Sequence, residues 1–509
     1  MAMRTARRLL LTLLAALIVT QTAPAAQSQA LVVRNVTLID GTGAAAQPGM
    51  TVVVTGNRIT AVGRNAAVPA GAQVVDGTGK FLIPGLWDMH LHLRGDSRVP
   101  RFTTFGEVLL VANGITGVRL MAGLPKFFEM QRGIQAGELL GPRMFLASRN
   151  FDGLIPAQKL PPKRGDTAGE AEEWQSVGVG EIPRAYQITT AAQAKAAVAE
   201  AKASGVEFLK IHNELTPEAY FAIAAEAKAN GLYLTGHVPT GVPVSVLSDT
   251  GMRSIEHWAG YLEGCSTRED EILKGQLAAL SLPAAERGRR NAELRRMAVD
   301  SYSAEKCAAL AARFVKQGTW ISPTFMPEGG ARATADRNAD LAKYVFAPLR
   351  ARWQQQIAGA AAAPPAAPPI PSAPEQELAR AVEQRRHDII AVMKKGGVQF
   401  VVGTDSGGAW RIPGRSLHEG LNEMVEAGLT PMETIVAATS SSARLLRREK
   451  DLGSAQTGKM ADLVLLDANP LQDIANTRRI NAVIVNGRLM DRKTLDNLLA
   501  QMAAANATN

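Results

Sequence analysis

The pattern of apolar residues divides the chain into two kinds of region. Short β-type apolar runs fill residues 31–80 and return at 461–466 and 480–485, near the other end of the chain. Each of these pieces is too short to bury much core alone. The pattern therefore predicts one small β-sandwich domain, assembled from residues 31–80 and 451–495, with a pair of separate β domains as the alternative.

Between these pieces, β-type runs alternate with helical stretches such as 190–203, 217–230 and 304–317. Repeated βα units indicate a parallel sheet, and eight of them indicate a closed barrel. Residues 81–450 are therefore predicted to form an α/β fold, a (β/α)8 barrel of the TIM type. The predicted barrel strands are 81–90, 115–120, 144–148, 206–211, 233–237, 254–257, 320–324 and 398–403.

Three regions are longer than a minimal barrel requires. Residues 152–188 are predicted to form a long polar loop, residues 262–303 are charged and helical, and residues 358–374 are an Ala/Pro tract. Long loops on a barrel often act as lids, so the first and the last can cover a site at the barrel mouth. Residues 496–509 are predicted to be a C-terminal tail.

Residues 1–30 have the pattern of a secretory signal peptide. Arg4, Arg7 and Arg8 precede an apolar core over residues 9–19, and small residues suitable for cleavage follow. The core is shorter than the roughly 20 residues that span a bilayer, so a membrane anchor is the weaker interpretation. The sequence thus predicts export to the periplasm or the exterior, with no stable membrane anchor after cleavage.

Composition and charge slightly narrow the class of protein and the partners that it can have. The chain is 46% hydrophobic and 20% charged, which is typical of a globular protein. Its net charge of +9 predicts a mildly basic surface. The densest basic cluster, residues 287–296, contains Glu293 and has the pattern of a solvated helix face, and no nucleic-acid-binding signature accompanies it. Cys265 and Cys307 are expected to be two unpaired structural cysteines, with a disulfide as the alternative in an oxidising compartment.

Histidines concentrate where a barrel places its chemistry. Of the seven histidines, His90, His92, His237 and His257 lie at carboxyl ends of predicted strands, and Asp405 follows the eighth strand. Residues two apart on a strand face the same way, so His90 and His92 can bind one ion. Active sites of such barrels lie at these strand ends, and imidazole suits zinc. We therefore predict a metal site, since two polar strand ends alone would not explain this common placement.

Lys210 lies inside the apolar strand predicted over residues 206–211. A charged, unpaired lysine is costly to bury, so burial favours the neutral amine. A neutral amine can add carbon dioxide to form a carbamate, whose two oxygens can bridge two metal ions. The alternative is a lysine that pairs with Asp405 or another carboxylate at the barrel mouth.

These motifs resemble the amidohydrolase superfamily, and more narrowly its imidazolonepropionase-like and prolidase-like members. The likeness extends over nearly the whole mature chain and is carried by PGLWDMHLH (84–92), FLKI (208–211), TGHVP (235–239), SIEH (254–257), GTDS (403–406) and GKMADLVL (458–465). The resemblance implies two divalent ions. It assigns His90, His92 and Asp405 to the more buried ion and His237 and His257 to the more exposed one. A carbamate on Lys210 bridges them.

The same resemblance implies a metal-dependent amidohydrolase with a small-molecule substrate. The hypothesis is cleavage of an amide bond, in dipeptides or N-acyl or aryl-acyl amino acids, by a hydroxide held between the ions. Asp405 acts as general acid and base. Zinc suits the ligands best, with manganese, iron or cobalt as alternatives. Arg411 and Arg415 can hold a substrate carboxylate, and solvated loop arginines are an equally supported interpretation.

Other interpretations remain open at this point. A lactone or cyclic amide can be the substrate of the same binuclear site, and a catalytically silent metal-binding relative is the alternative from another class. His212 and His418 are expected to support the site or the fold without binding metal, and His387 to lie at the surface. The sequence is compatible with a monomer and with a homo-oligomer.

Overall fold

A computed structural model describes residues 29–93, 107–153, 185–324, 330–345, 347, 349–351, 353–355, 372–407 and 410–507. Residues 1–28 of the predicted signal peptide lie outside this part of the chain. So do most of the loops predicted over residues 152–188 and 358–374. Among the described residues, no helix combines the length and the apolar character that a bilayer span requires.

Strands from both ends of the chain form one eight-stranded sheet. They are β1 Leu31–Leu38, β2 Gln47–Thr55, β3 Arg58–Gly63, β4 Gln73–Asp76, β5 Phe81–Pro84, β14 Leu463–Leu466, β15 Ile480–Val485 and β16 Arg488–Asp491. The order is β16-β15-β14-β5-β1-β2-β3, and β4 pairs with β1. Because β14 lies antiparallel to β5, with Leu463 opposite Pro84, the sheet joins the two chain ends as the sequence predicts.

The strand predicted over residues 81–90 is in fact two strands, because the chain passes from one sheet to the other within it. β5 ends at Pro84, which has no N–H to donate to a ladder. The next residue is Gly85, and its position has room only for glycine, because a Cβ there would overlap the Thr116 hydroxyl. The Gly85 N–H donates to the Asp462 carbonyl, and the barrel begins with the following residue.

Seven parallel strands form most of the barrel. They are β6 Leu86–Leu91, β7 Ile115–Leu120, β8 Arg143–Asp152, β10 Phe208–Ile211, β11 Tyr233–Gly236, β12 Met252–Glu256 and β13 Trp320–Ser322, and the short β9 Ala185–Gln187 pairs with β8. Every residue of β6, β7 and β10 is buried. Such burial is typical of parallel strands that are covered on both faces.

The eighth side of the barrel is the segment predicted as a strand over residues 398–403. The Val401 N–H donates to the Ile321 carbonyl on β13 at 3.0 Å, and the Met89 N–H on β6 donates to the Val402 carbonyl at 2.8 Å. The segment forms isolated bridges rather than a continuous ladder. Since it bonds to both edge strands of the seven-stranded sheet, it closes the barrel.

Helices surround the barrel, and their ends follow local sequence signals. The helix predicted over residues 217–230 is Pro217–Ala229: the Thr216 hydroxyl accepts the Ala219 N–H, and Gly231 follows with φ 71°. A threonine N-cap and a glycine after the last turn are common boundaries of a helix. The other α-helices of the described residues are Glu107–Ala112, Pro125–Gln135, Ala191–Ala203, Val244–Asp249, Tyr261–Gly264, Glu269–Ala279, Ala284–Asp300, Ala304–Gln317, Gly330–Arg337, Ala373–Lys395, Arg415–Glu426, Pro431–Ala437, Ser440–Leu445 and Arg492–Ala507.

The insertion predicted over residues 262–303 is helical, as expected. We call its two long helices, Glu269–Ala279 and Ala284–Asp300, the roof helices. A disulfide joins Cys265 and Cys307 at the root of the insertion, where their Cα atoms lie 4.4 Å apart. The expectation of two unpaired cysteines is therefore wrong. The two ends of the insertion lie next to each other in space. The pairing could not be predicted, because the number of residues between two cysteines does not show whether the chain brings them together.

Candidate metal centre

The six residues predicted to bind metal lie together at the carboxyl ends of the barrel strands. Four strands and the closing segment contribute them, and each stands at a strand's last residues or just after it. This is the end of the barrel at which such folds place their chemistry. The residues are His90 and His92 from β6, Lys210 from β10, His237 after β11, His257 after β12 and Asp405 after the closing segment.

His90, His92 and Asp405 form the first group of this centre. The Nε2 atoms of His92 and His90 lie 3.2 Å and 3.6 Å from Asp405 Oδ1. One ligand atom from each of the three residues lies within 4.8 Å of the others. Two imidazoles and one carboxylate are a donor set that fits zinc and similar divalent ions.

Lys210, His237 and His257 form the second group, adjacent to the first. Lys210 Nζ lies 3.3 Å from His90 Nε2, and the Nε2 atoms of His237 and His257 are 3.0 Å apart. Two imidazole nitrogens at this distance must share a proton or a cation, because two facing lone pairs repel. The donor atoms of the second group therefore converge as binding of a second cation requires.

Burial keeps these imidazoles neutral, the form that binds a metal. Burial, followed by the nearby Lys210, holds the pKa values of His90 and His237 well below the usual histidine value. The same causes lower the pKa of His257 to about 4. Burial opposes ionisation of Asp405, but the hydrogen bond with His92 and the charges around it keep its pKa well below the usual range. The centre thus offers neutral nitrogens and an ionised carboxylate.

A buried ion pair between Glu256 and Arg119 supports His90 from inside the barrel. Arg119 donates to Glu256 Oε1 at 2.6 Å, and the other carboxylate oxygen lies 2.9 Å from His90 Nδ1. The hydroxyls of Thr235 and Ser254 also donate to Glu256, at 2.8 Å and 2.6 Å. All of these side chains are buried. The network was not predicted, and its only sequence signals were charged residues inside two apolar strands.

This ion pair determines which nitrogen of His90 is available to a metal. Burial opposes ionisation of Glu256, but the Arg119 guanidinium and the His90 hydrogen bond hold its pKa well below the usual range. An ionised carboxylate only accepts hydrogen bonds, so His90 must carry its proton on Nδ1. His90 Nε2 is then unprotonated and faces Lys210 and Asp405. A carboxylate that orients a ligating histidine in this way is a recurrent feature of metal sites.

Asp88 links the two strand ends that carry His90 and Asp405. Its Oδ1 accepts the N–H groups of His90 and Thr404, both at 3.1 Å, and its Oδ2 accepts the Thr404 hydroxyl at 2.6 Å. Burial raises the pKa of Asp88 to about 7. This side chain therefore fixes the register between β6 and the closing segment, although sequence reasoning gave it no role.

Three residues of the centre have left-handed backbone conformations: His257 with φ 66°, Asp405 with φ 51° and Thr324 with φ 41°. Non-glycine residues rarely adopt this conformation, and such strain concentrates at functional sites. The Thr324 hydroxyl lies 2.6 Å from His257 Nδ1 and so orients that ring. The left-handed backbone directs the side chains of His257 and Asp405 to the barrel mouth, and it does so at the cost of local strain.

The two arginines predicted to bind substrate have acidic neighbours from the chain itself. Arg411 donates to Asp405 Oδ2 at 3.1 Å. Arg415 lies at the start of helix Arg415–Glu426, 3.7 Å from a carboxylate oxygen of Glu419. Arg411 is thus part of the centre, and its visible contact orients Asp405. Substrate binding by Arg411 and Arg415 stays a prediction.

The three remaining histidines lie outside the six-residue group. His212 follows β10 and lies 2.8 Å from Asp152, and its ring centroid is 4.3 Å from that of His237, with the two rings tilted by 34°. His418 is buried against the Thr477 hydroxyl and the Asn113 carbonyl. The side chain of His387 is 44% exposed and lies beside Glu383. His387 lies at the surface as expected, and the supporting roles of His212 and His418 stay predictions.

The amidohydrolase family profile matches residues 81–490, so the chain belongs to the amidohydrolase family. Its fold is similar to that of a bottromycin amidohydrolase, with a TM-score of 0.67 and 21% identity over 94% of this chain and 90% of that chain. It is also similar to a Xaa-Pro dipeptidase solved with methionine in its active site, with a TM-score of 0.57 and 20% identity over 91% of this chain and 100% of that chain.

Sequence similarity to curated proteins is local. An imidazolonepropionase from Shouchella clausii is 33% identical over 125 residues, which are 22% of this chain and 27% of that protein. The chain spans about a quarter or less of the length of the curated relatives that it matches. Together with the barrel, these likenesses confirm the predicted family and fold.

Proposed function

We propose that this chain is a metal-dependent hydrolase that cleaves an amide bond in a small molecule with a free carboxylate, such as a dipeptide or an N-acyl amino acid. The observation that carries the proposal is the convergence of six donor side chains at one barrel mouth. Membership of the amidohydrolase family supports the reaction class. The donors are His90, His92, Lys210, His237, His257 and Asp405.

Two divalent cations, which we propose to be zinc, fit these donors. His90, His92 and Asp405 would hold one, His237 and His257 the other, and Lys210 as a carbamate would reach both. When bound, such cations polarise a carbonyl and make water acidic enough to lose a proton near neutrality. The position of Lys210 Nζ supports the carbamate, because it stands 3.3 Å from His90 Nε2, where a protonated amine would oppose cation binding.

Asp405 is the residue that we propose moves the proton. Its Oδ1 faces the two imidazoles of the first group, and its Oδ2 accepts a hydrogen bond from Arg411. A carboxylate in this position can take a proton from an attacking water and deliver it to the departing amine. Arg411 keeps the carboxylate directed at the mouth, and the left-handed backbone of Asp405 fixes the same direction.

We also propose that the protein is exported, as its N-terminal segment predicts. The Cys265–Cys307 disulfide supports this, because disulfides persist mainly in oxidising compartments. Sequencing the N-terminus of the mature protein from the culture fluid or the periplasm tests export. A protein that retains residue 1 and stays in the cytoplasm would contradict it.

Activity and metal content can be tested on one set of proteins. The wild type is assayed against a panel of dipeptides, N-acyl amino acids and lactones, and its zinc is counted by mass spectrometry. Asp405→Asn is expected to lose nearly all turnover while keeping much of its metal. Asp451→Asn is the matched control, since Asp451 forms an exposed pair with Arg58 at the surface.

Each result has a definite meaning for the proposal. Amide hydrolysis by the wild type and the control, with none by Asp405→Asn, supports it. Full activity in Asp405→Asn would refute the role of that carboxylate. Turnover of lactones alone would show that the enzyme cleaves an ester bond in place of an amide bond. Less than one metal ion per chain, together with no turnover, would favour a catalytically silent relative.

A further inference from the structure

A cavity of about 550 Å³ lies between the roof helices and loops that follow the barrel strands. Its floor consists of the loops that follow three consecutive barrel strands: Asn213 and Glu214 after β10, Val238–Gly241 after β11, and Ala259 and Gly260 after β12. These strands are the ones that bring Lys210, His237 and His257 to the mouth. The cavity has the volume of a typical small-molecule site, which is about 300–1,000 Å³.

Each roof helix presents one face to this cavity. The first contributes Leu273 and Gln276, and Leu280 at its C-terminal end extends the same face. The second contributes Arg287, Asn291 and Arg295, which are four residues apart in turn. Residues three or four apart share a helix face, so these positions line the cavity because of the helix geometry.

The arginines on the cavity face differ in their contacts from others on the same helix. Arg290 pairs with Glu293, and Arg296 pairs with Glu377. Within the part of the chain that the structure describes, Arg287 and Arg295 form no ion pair. Two arginines of the basic cluster that the sequence suggested to be a solvated face, the partly buried Arg287 and the exposed Arg295, therefore line the cavity without an ion-pair partner among the described residues.

The acidic side chains of the cavity come from its barrel side, which we call the acidic wall, and have partners. Glu263 accepts a hydrogen bond from Gln276 at 3.0 Å, and Glu214 accepts one from Asn213 at 3.3 Å. Leu273 and Leu280 supply apolar surface beside the arginines. The cavity thus suits a ligand with one carboxylate and an apolar side chain, whereas a second carboxylate would meet the acidic wall.

The root of the roof is firmly attached to the barrel. The Cys265–Cys307 disulfide closes the insertion, and the Thr267 and Ser303 N–H groups donate to the Ser301 and Cys265 carbonyls. The two ends of the insertion that carries the roof helices are therefore held together beside the cavity.

We propose that this cavity is the substrate pocket and that Arg287 and Arg295 are its specificity-determining residues, which bind the carboxylate of an amide substrate. The inference rests on the proposed amide hydrolysis and deepens it. It assigns carboxylate binding to Arg287 and Arg295 in place of Arg411, because the Arg411 guanidinium already donates to Asp405. Paired hydrogen bonds from an arginine are well suited to a carboxylate.

The test compares N-acetyl-L-phenylalanine with its methyl ester as substrates of the full-length metal-loaded enzyme. In the double variant Arg287→Met/Arg295→Met, the ratio of kcat/KM for the acid to kcat/KM for the ester is expected to fall about 10- to 100-fold, the usual loss for hydrogen bonds to a charged group. Arg290→Met is the matched control on the same helix, and its ratio is expected to equal that of the wild type. Arg415→Met tests the competing assignment.

A binding measurement keeps the inference testable if no substrate is turned over. Isothermal titration of N-acetyl-L-phenylalanine into Asp405→Asn is repeated with the two cavity arginines also replaced, and the Kd is expected to rise about tenfold or more. Two outcomes would overturn this inference and leave the proposed amide hydrolysis standing. One is a wild-type enzyme that hydrolyses amides without preferring the acid to the ester. The other is an acid-to-ester ratio that falls in Arg415→Met and not in the double variant. Absence of all turnover would refute the proposed function, and an unchanged Kd would then refute the pocket separately.

Discussion

Replacing Arg119 by methionine removes the positive member of the ion pair inside the barrel. Arg119 is fully buried and donates to Glu256, to the Ser254 hydroxyl and to the Met89 carbonyl at 2.6, 2.8 and 2.6 Å. Methionine is apolar and has no donor, so Arg119→Met leaves the Glu256 carboxylate buried without a compensating charge. Breaking a buried pair in this way costs about 3–5 kcal/mol of unfolding free energy.

The assay is urea unfolding of chelator-treated protein, so that metal release does not contribute. The matched control is Arg492→Met, because Arg492 pairs with Asp496 at the surface, where the two side chains are 38% and 62% exposed. An exposed pair of this kind contributes less than about 1 kcal/mol. The double variant Arg119→Met/Glu256→Leu removes both charges and is expected to recover much of the lost stability.

The same variant tests how the ion pair acts on the metal centre. Glu256 bonds His90 Nδ1 at 2.9 Å, so a disturbed Glu256 misorients that imidazole. Loss of such a supporting partner weakens metal affinity by about 10- to 100-fold. A stability loss in Arg119→Met no larger than in Arg492→Met would refute the buried ion pair. Unchanged zinc affinity in Arg119→Met would refute its link to His90.

Three further predictions follow from local geometry. Replacing Cys265 and Cys307 by alanine opens a loop of 42 residues and should lower the free energy of unfolding by about 4 kcal/mol, measured by denaturant unfolding. A reductant that leaves the unfolding midpoint of the wild type unchanged would contradict this. A Cβ at position 403 would lie 2.6 Å from His90 Cβ, so Gly403→Ala should weaken zinc binding about tenfold or more in a competitive chelator titration. Gly288 lies inside a roof helix with open space around it, so Gly288→Ala should stabilise the protein by about 0.5–1 kcal/mol, and a lower melting temperature would be the opposing result.

Strand positions in the barrel could be predicted because their signal is local. Runs of apolar residues identify β7 and β10 closely, and histidines mark the ends of β6, β11 and β12, where the chemistry of the fold lies. The split between β5 and β6 was missed because the apolar pattern continues across it. The fit of Gly85 against Thr116, a contact between different strands, helps to show where one sheet ends and the other begins.

Contacts between distant segments account for what the sequence did not reveal. Arg119 and Glu256 are 137 residues apart and belong to strands that are not neighbours in the sheet. Their pairing across the barrel interior depends on closure and tilt, which periodicity alone does not specify. The same holds for Arg287 and Arg295: a helical pattern places them on one face, but only the tertiary structure shows that the face covers a cavity.

Anomalous diffraction from crystals of the zinc-loaded protein, recorded above and below the zinc absorption edge, tests the central claim most directly. The account predicts two peaks among His90, His92, Lys210, His237, His257 and Asp405, with ligand atoms about 2.0–2.2 Å away. It also predicts added density for a carbamate on Lys210. No peak at the barrel mouth, or a single peak that neither Lys210 nor Asp405 contacts, would contradict it.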